Sequence, residues 1–302
     1  MNPYLRAMRL ERWPRSLAIF SGIAAFFFLY REAISTDLIF SFAIKSLFAF
    51  LLTWAISTVN YIINEIADVP FDRHHPSKRH RPLVMGEIQK TPLFLYGIIL
   101  SLVSLALAYL FFSFPFFLSL LVLLFAGFLY NIKPFRTKDV PFLDSISESA
   151  NNPIRFLIGW FAFSSPHLFP PLSLLLSWWI FGNFLMISKR LSEFRLLKEK
   201  AENYRSSLSK YTTKSLTFGI VLSTIFFFIG YFYFAIVNKL ESFIMLSPLI
   251  FFYFFLIFWK TLREKEAMEE PERLLQHPAF TIYTFLLILL FSLTYFVDTI
   301  GK

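Results

Sequence analysis

No cysteine occurs among the 302 residues. Thiol chemistry and a disulfide framework are therefore excluded. Charge is scarce too. Asp, Glu, Lys and Arg make up 16% of the chain, against about 25% in ordinary soluble domains. A composition this poor in charge excludes an ordinary soluble enzyme and a disordered chain. A Ser-His-Asp pattern, a Gly-rich nucleotide loop and a Walker motif are also missing, which argues against a triad hydrolase and an ATP-driven pump. What is abundant is apolar. Hydrophobic residues reach 56%, and there are 42 phenylalanines, a load that lipid tolerates and water does not.

The long hydrophobic runs predict an all-α, polytopic transmembrane bundle of about nine spans. A span needs about 20 mostly apolar residues. Candidate stretches lie near 16–31, 38–64, 92–112, 115–131, 141–163, 169–188, 215–237, 242–259 and 279–298. The first lacks a small-residue cleavage site and reads as a retained span, not a signal peptide. No internal repeat is visible, and the chain, residues 1–302, reads as one integral-membrane domain.

The net charge of +9 follows from topology. Of 29 Lys and Arg residues, 24 fall in the N-terminal segment and in alternate loops, near 73–90, 133–138, 189–214 and 260–273. The intervening loops hold little beyond Arg31, Lys239 and Lys302. The positive-inside rule then puts the N-terminus and the long loops in the cytoplasm of a cell-membrane protein, and nine spans put the C-terminus outside. The membrane accounts for the basic excess, so no nucleic-acid partner is called for.

Ionisable groups that stay near the helix cores are costly and mark function. Asn64, Asp68 and Asp72 follow an i, i+4, i+8 spacing at the end of the second span. On a helix each step drifts by about 40°, so the three share one face over roughly 12 Å. Three oxygen donors there suit a hard cation such as Mg²⁺, which takes one or two carboxylates and completes its shell with water and phosphate. Pro70 predicts a kink or an end of the helix, with Asp72 at the mouth of the loop. The loop itself packs Arg73, Lys78, Arg79 and Arg81 with His74, His75 and His80. Some of these serve the positive-inside rule, and Lys78 and Arg81 are the candidates for phosphate. A zinc site from the three histidines lacks a helix or cysteine to frame it.

Two further groups lie in later spans. Asp144, Glu148 and Arg155 are predicted to share one helix face, either as functional groups or as an internal Glu148–Arg155 ion pair. Lys189, Arg190 and Glu193 stand where the sixth span meets the cytoplasm; positive-inside anchoring explains the two cations but not Glu193. Lys45 is deep enough in the second span to snorkel or pair. Acid and metal on one wall with cations on the other suit a substrate whose leaving group is diphosphate, because both stabilise the departing charge.

The N-x-x-x-D-x-x-x-D of Asn64, Asp68 and Asp72 resembles the first aspartate motif of the UbiA superfamily of membrane prenyltransferases. The likeness runs nearly the whole chain, and nine spans agree with that fold. The decaprenyl-phosphate phosphoribosyltransferase branch looks closer still. Asp72 to Pro82 is similar to its D-R-x-H-P-x-K-x-x-R-P stretch. The loop that begins at Tyr130 and carries Lys138 resembles its Tyr-Ser loop, Asp144 and Arg155 match an Asp and an Arg on the next span, and Lys189, Arg190 and Glu193 resemble K-R-x-x-E. Arg205 to Tyr211 and Glu269-Glu270-Pro271-Glu272 also look like branch features. The chain departs from the branch at Glu65, where Asp is usual, and at Asn151-Asn152-Pro153, which replaces a more apolar run.

The resemblance implies a Mg²⁺-dependent transferase that displaces diphosphate. The expected metal ligands are Asn64, Asp68 and Asp72. Asp68, Asp72, Asp144 and Glu193 are the expected catalytic set. Lys78, Arg81, Tyr130, Lys138, Arg155, Lys189 and Arg190 are expected to hold diphosphate and phosphate. Aromatic prenyltransferases of the superfamily carry a second D-x-x-x-D after the sixth span, where this chain has Lys189, Arg190 and Glu193. That departure favours transfer of 5-phosphoribose from phosphoribosyl diphosphate to a polyprenyl phosphate. The alternatives are prenyl transfer from a prenyl diphosphate to an aromatic or polar acceptor, and a transporter or scaffold without chemistry. The last predicts inverted repeats and paired interrupted spans, which are not visible. The implied partners are an isoprenoid lipid, a diphosphate-bearing donor and membrane lipid.

Overall fold

The computed structural model describes residues 2–30, 36–73, 78–197, 206–263 and 277–300. Among these residues helices are the only regular structure. The chain divides into two compact units, Met1–Pro170 and Pro171–Lys302.

In the first unit, a short helix α1 (Pro3–Met8) leads into a 3-10 stretch (Leu10–Ala18) and α2 (Ile19–Leu29). The long α3 (Thr36–Asp72) follows, then α4 (Lys90–Phe111), α5 (Phe114–Asn131), α6 (Leu143–Ser149) and α7 (Asn151–Phe161). The second unit contains α8 (Leu172–Leu197), α9 (Thr213–Val237), α10 (Glu241–Met245), α11 (Ser247–Arg263) and α12 (Pro278–Ile300).

Local chemistry sets several of these ends. The Asn2 side chain accepts the Tyr4 N–H at 2.9 Å and starts α1; a left-handed Arg9 (φ 51°) closes it. Pro115 opens α5, where its missing N–H leaves no partner unsatisfied. Thr212 and Ser215 form a reciprocal capping box at the start of α9. Within the spans, Thr53, Ser104 and Ser119 return their hydroxyl protons to the carbonyl four residues back at 2.7 Å. No water in hydrocarbon could take those protons instead. Large apolar side chains stay on the outside, among them Leu102, Leu110, Phe218 and Val297. Such a surface is stable in lipid.

Each of the nine predicted stretches falls on helix. Six described helices are long and apolar enough to cross a membrane, so nine is an approximate count. The other three stretches are assembled from shorter pieces: the 3-10 run with α2, α6 with α7, and α10 with α11. The break after Ser149 has a local cause. Pro153 has no N–H to donate to the Ser149 carbonyl, so the helical ladder is interrupted there. Asp144 and Arg155 thus stand on two successive helices, not on one continuous face.

Of the two outcomes expected at Pro70, a kink or an end, the end is not realised. It lies inside α3, and the helix continues to Asp72. Only the bond to the Ile66 carbonyl is lost, and two residues from the end that loss does not stop the helix. Lys45 is half-buried on α3, 27 residues before Asp72, about 40 Å along the helix at 1.5 Å per residue.

In the first unit α3 packs against α4 and α5, and α5 packs on α7. Helices α2 and α7 meet backbone to backbone. A Cβ on Gly22 would lie 1.9 Å from the Phe156 carbonyl oxygen, and one on Gly159 would lie 1.9 Å from that of Ile19. This contact seats α7, which carries Arg155. In the second unit the aromatic rings of α8, α9 and α11 form the core, with Phe184 and Phe254 centroids 4.4 Å apart and Phe227 and Phe254 4.8 Å apart.

The close α2–α7 contact makes a test. Gly159→Val should lower stability by about 3 kcal/mol, because the clash is with backbone that cannot rotate away. Thermal unfolding of the detergent-solubilised variant reads this, with Gly86→Ala as a turn control of smaller effect. Gly86 has φ +74° but open space around its Cα.

Candidate active site

The last two turns of α3 bring Asn64, Glu65, Asp68 and Asp72 to one end of the first unit. The chain that leaves α5 returns over them. Arg136 takes a left-handed conformation (φ 32°), a placement that disfavours a side chain with a Cβ. It is held by the N–H of Arg136 bonded to the Ile132 carbonyl at 2.8 Å. A short 3-10 turn, Thr137–Asp139, follows and carries Lys138.

These turns deliver two cations to one carboxylate. Asp68 Oδ1 accepts from Lys138 Nζ at 2.6 Å and from an Arg136 terminal nitrogen at 2.9 Å. Both donors are buried, at 5% exposure for Lys138 and 7% for Arg136, so this is a charge-compensated cluster and not a surface ion pair. Every edge of the Arg136 fork is engaged. Nε donates to Asp139 at 2.8 Å, and the other terminal nitrogen donates to the Asn131 carbonyl at 3.0 Å. The guanidinium lies 4.4 Å from the centroid of the Phe71 ring, a cation–π contact.

Asn131 ties the two sides together. Its Oδ1 accepts from Asn64 at 2.7 Å and from Lys138 at 2.8 Å, while its amide nitrogen donates to the Gly127 carbonyl at 2.9 Å. Asn64 also donates to Asp68 Oδ2 at 3.0 Å. Lys138 lies 5.8 Å from the Tyr130 ring centroid, and the Tyr130 hydroxyl donates to Glu148 at 3.1 Å.

Arg81 closes the other end. It pairs with Asp72, and its Nε lies 3.8 Å from Glu65 Oε2. Glu65 is 1% exposed and takes a second cation, Arg9, at 2.9 Å. Lys78 is half-buried on the 3-10 turn Lys78–His80.

The predicted residues therefore separate into groups. Asn64, Asp68, Tyr130 and Lys138 meet in one network, and Asp72 meets Arg81. Arg155 is buried higher on the bundle and donates to Ser57 Oγ at 3.3 Å. Asp144 is fully buried at the start of α6, where its carboxylate accepts the Ser145 N–H at 2.8 Å. Arg190 and Glu193 are both buried on α8, in the second unit, and pair at 2.9 Å; Lys189 is half-buried beside them. His74, His75, Arg205 and 269–272 lie outside the described residues.

Four participants escaped the sequence reading as site residues: Asn131, Arg136, Glu65 and Arg9. Asn131 had a usable signal, since it is the one amide that ends the apolar run of α5. Arg136 lay within a loop already marked for Lys138. Arg9 had none, because it joins α3 across 56 residues.

The donors on this face of α3 are oxygens of the kind a divalent cation takes. Asn64 spends its amide nitrogen on Asp68 and Asn131, which turns its carbonyl oxygen into the remaining acceptor beside two carboxylates of the same face. Oxygen donors of this kind fit Mg²⁺. Among the described residues no three His, Asp or Glu side chains form a closed cage.

The fold and the site together define a multi-pass helical membrane protein with a polar cluster of paired carboxylates and cations at one helix end. The UbiA prenyltransferase family model matches residues 18–285, and the chain belongs to that family of membrane transferases. The chain is 25% identical to the decaprenyl-phosphate phosphoribosyltransferase of Mycobacterium tuberculosis over 229 residues, 72% of this chain and 69% of that one. The fold is similar to that of a UbiA homolog from Archaeoglobus fulgidus bound to DMAPP and Mg²⁺, with a TM-score of 0.71, 21% identity, and 97% of this chain and 98% of that chain covered. The same homolog bound to GPP and Mg²⁺ gives a TM-score of 0.71 at 21% identity, with 97% and 99% covered.

Asp68→Ala should destabilise the protein by about 3 kcal/mol, since it removes a carboxylate that two buried cations share. Adding Lys138→Met should recover part of that loss. Thermal unfolding of the single and double variants in detergent checks both.

Proposed function

We propose that the chain, residues 1–302, acts as one integral-membrane domain that transfers 5-phosphoribose from phosphoribosyl diphosphate to a polyprenyl phosphate. The observation that carries the reading is the set of cations, Arg81, Arg136 and Lys138, gathered on the carboxylates Asp68 and Asp72. Such cations match the phosphate oxygens of a leaving diphosphate in charge and, for the arginines, in fork geometry. Asn64, Asp68 and Asp72 would hold Mg²⁺, which supplies neutralisation of the diphosphate charge when bound.

The reaction breaks the bond between ribose C1 and the diphosphate oxygen, and the bonding electrons leave with the diphosphate. A polyprenyl phosphate oxygen forms the new bond to C1. That nucleophile is already ionised, so no proton has to be removed. Arg81, Lys78 and Lys138 bind the phosphates. Arg136 and Asn131 hold Lys138 and Asp68 in register. Tyr130 and Arg155 bind substrate oxygens, and Asp144 orients groups without taking a proton. Lys189 and Arg190 are assigned to phosphate and Glu193 to their orientation, on the strength of the K-R-x-x-E resemblance. The buried Arg190–Glu193 pair supports a positioning role for Glu193. Orientation in the cell membrane, with the N-terminus and the site loops cytoplasmic, rests on the distribution of Lys and Arg.

The second reading is prenyl transfer from a prenyl diphosphate, supported by the fold shared with the DMAPP-bound and GPP-bound homolog. It would use the same cation site with an allylic carbon as electrophile. A paired Arg190 and Glu193 in place of a second carboxylate motif, and the name of the mycobacterial relative, favour the ribosyl donor.

Diphosphate release by the purified protein separates the readings. With Mg²⁺ and a polyprenyl phosphate, release is expected from phosphoribosyl diphosphate and not from geranylgeranyl diphosphate with a panel of aromatic acceptors. The reverse outcome overturns the ribosyl assignment. Asp68→Ala should lower turnover by at least about 100-fold; retained Mg²⁺-dependent activity removes Asp68 from the ligands of the cation.

A further inference from the structure

We propose that Arg9 and Glu65 form a positioning pair that sets how firmly Arg81 holds Asp72, and thereby how readily Asp72 takes a divalent cation. The proposal rests on the assignment of the Asn64–Asp72 face to such a cation.

Glu65 is the most deeply buried carboxylate on this face, at 1% exposure. Its Oε1 has no hydrogen-bond partner, so its charge is compensated through Oε2 alone. Oε2 has two cations within reach. Arg9 donates to it at 2.9 Å, and Arg81 Nε stands at 3.8 Å, beyond hydrogen-bond range but within ion-pair range. The same Arg81 guanidinium contacts Asp72 through its other edge. One arginine is thus shared by two carboxylates, and Arg9 decides how much of it Glu65 claims.

The fold holds Arg9 in that position. Helix α1 ends in the left-handed Arg9 residue, which turns the chain directly beneath α3. Ala7 is packed with Ile62, Ile88 and Leu93, and Tyr4, Met8, Ile66 and Leu83 close around them. Arg6 also pairs with Glu87. One small core therefore clamps α1, the end of α3 and the segment after Arg81 together. The face of Tyr61 lies 5.8 Å from the Arg9 guanidinium.

The two single variants should act in opposite directions. Removing the Arg9 charge leaves Glu65 buried with Arg81 as its counter-charge, so Arg81 is drawn off Asp72 and cation binding strengthens. Neutralising Glu65 leaves Arg81 to Asp72, so cation binding weakens. A merely structural clamp would shift both variants the same way.

The experiment is Mn²⁺ binding to the purified full-length protein in detergent without substrate, read by electron paramagnetic resonance of the free ion. Arg9→Met is expected to tighten binding by about threefold or more, and Glu65→Gln to weaken it by a similar factor. Arg9→Gln keeps a donor for Glu65 and removes only the charge, and it takes the place of Arg9→Met should that variant not fold. Shifts of one sign, or none, overturn the proposal. The Asp72→Ala control keeps the two failures apart. If the wild type binds Mn²⁺ and Asp72→Ala does not, the cation assignment stands whatever the Arg9 and Glu65 variants do. A wild type that binds no Mn²⁺ overturns both.

Discussion

The first unit is organised around one constraint: three carboxylates at the end of a membrane helix must never be left without counter-charge. Glu65, Asp68 and Asp72 follow one another within two turns of α3, two of them buried and Asp68 largely so. Bare, they would repel each other and lose hydration together. The chain meets the constraint with cations drawn from three separate segments. Arg9 comes from the N-terminal turn, Arg81 from the loop after α3, and Arg136 and Lys138 from the turn after α5. Each segment is irregular where it delivers its cation, with left-handed backbone at Arg9 and Arg136. Backbone strain of this kind is kept where surrounding contacts over-determine it. For Arg136 those contacts are Asp68, Asp139, the Asn131 carbonyl and Phe71.

The same arrangement links stability to chemistry. A transferase that releases diphosphate needs cations poised near its carboxylates, yet it must be stable before substrate arrives. Pairing the two sets satisfies both requirements. Arginine and lysine neutralise the carboxylates in the resting protein. Asn131 keeps the exchange ordered, since one side-chain oxygen receives both Asn64 and Lys138. Lipid excludes water from the outer helix faces, so the polar network has to be closed within the protein.

Much of the fold was legible in the chain. Runs of Phe, Leu and Ile marked the helices. Asn64, Asp68 and Asp72 were legible because a spacing of four is one helix face, and Lys138 because it lay in a basic loop beside them. The break in the fifth stretch was missed although Pro153 announced it, since hydropathy alone does not register a lost N–H. The end of α3 lies further on than one reading of Pro70 had it: Pro70 read as a kink or an end, and the helix runs on to Asp72 because a proline two residues from a terminus removes a single bond. Arg9 and its partner Glu65 left no local signal. Their pairing depends on α1 folding back on α3, a contact between segments far apart in the chain.

By itself, the sequence determined that this protein lies in a membrane as helices, which face of α3 carries its acids, and which loops carry its bases. Periodicity and hydropathy are local properties, and each residue reports them without reference to distant ones. The tertiary structure alone decided which base meets which acid: Lys138 and Arg136 on Asp68, Arg81 on Asp72, Arg9 on Glu65. Ion pairing acts through space over a few ångströms, and only the packed backbone converts separations of 56 to 70 residues into such distances.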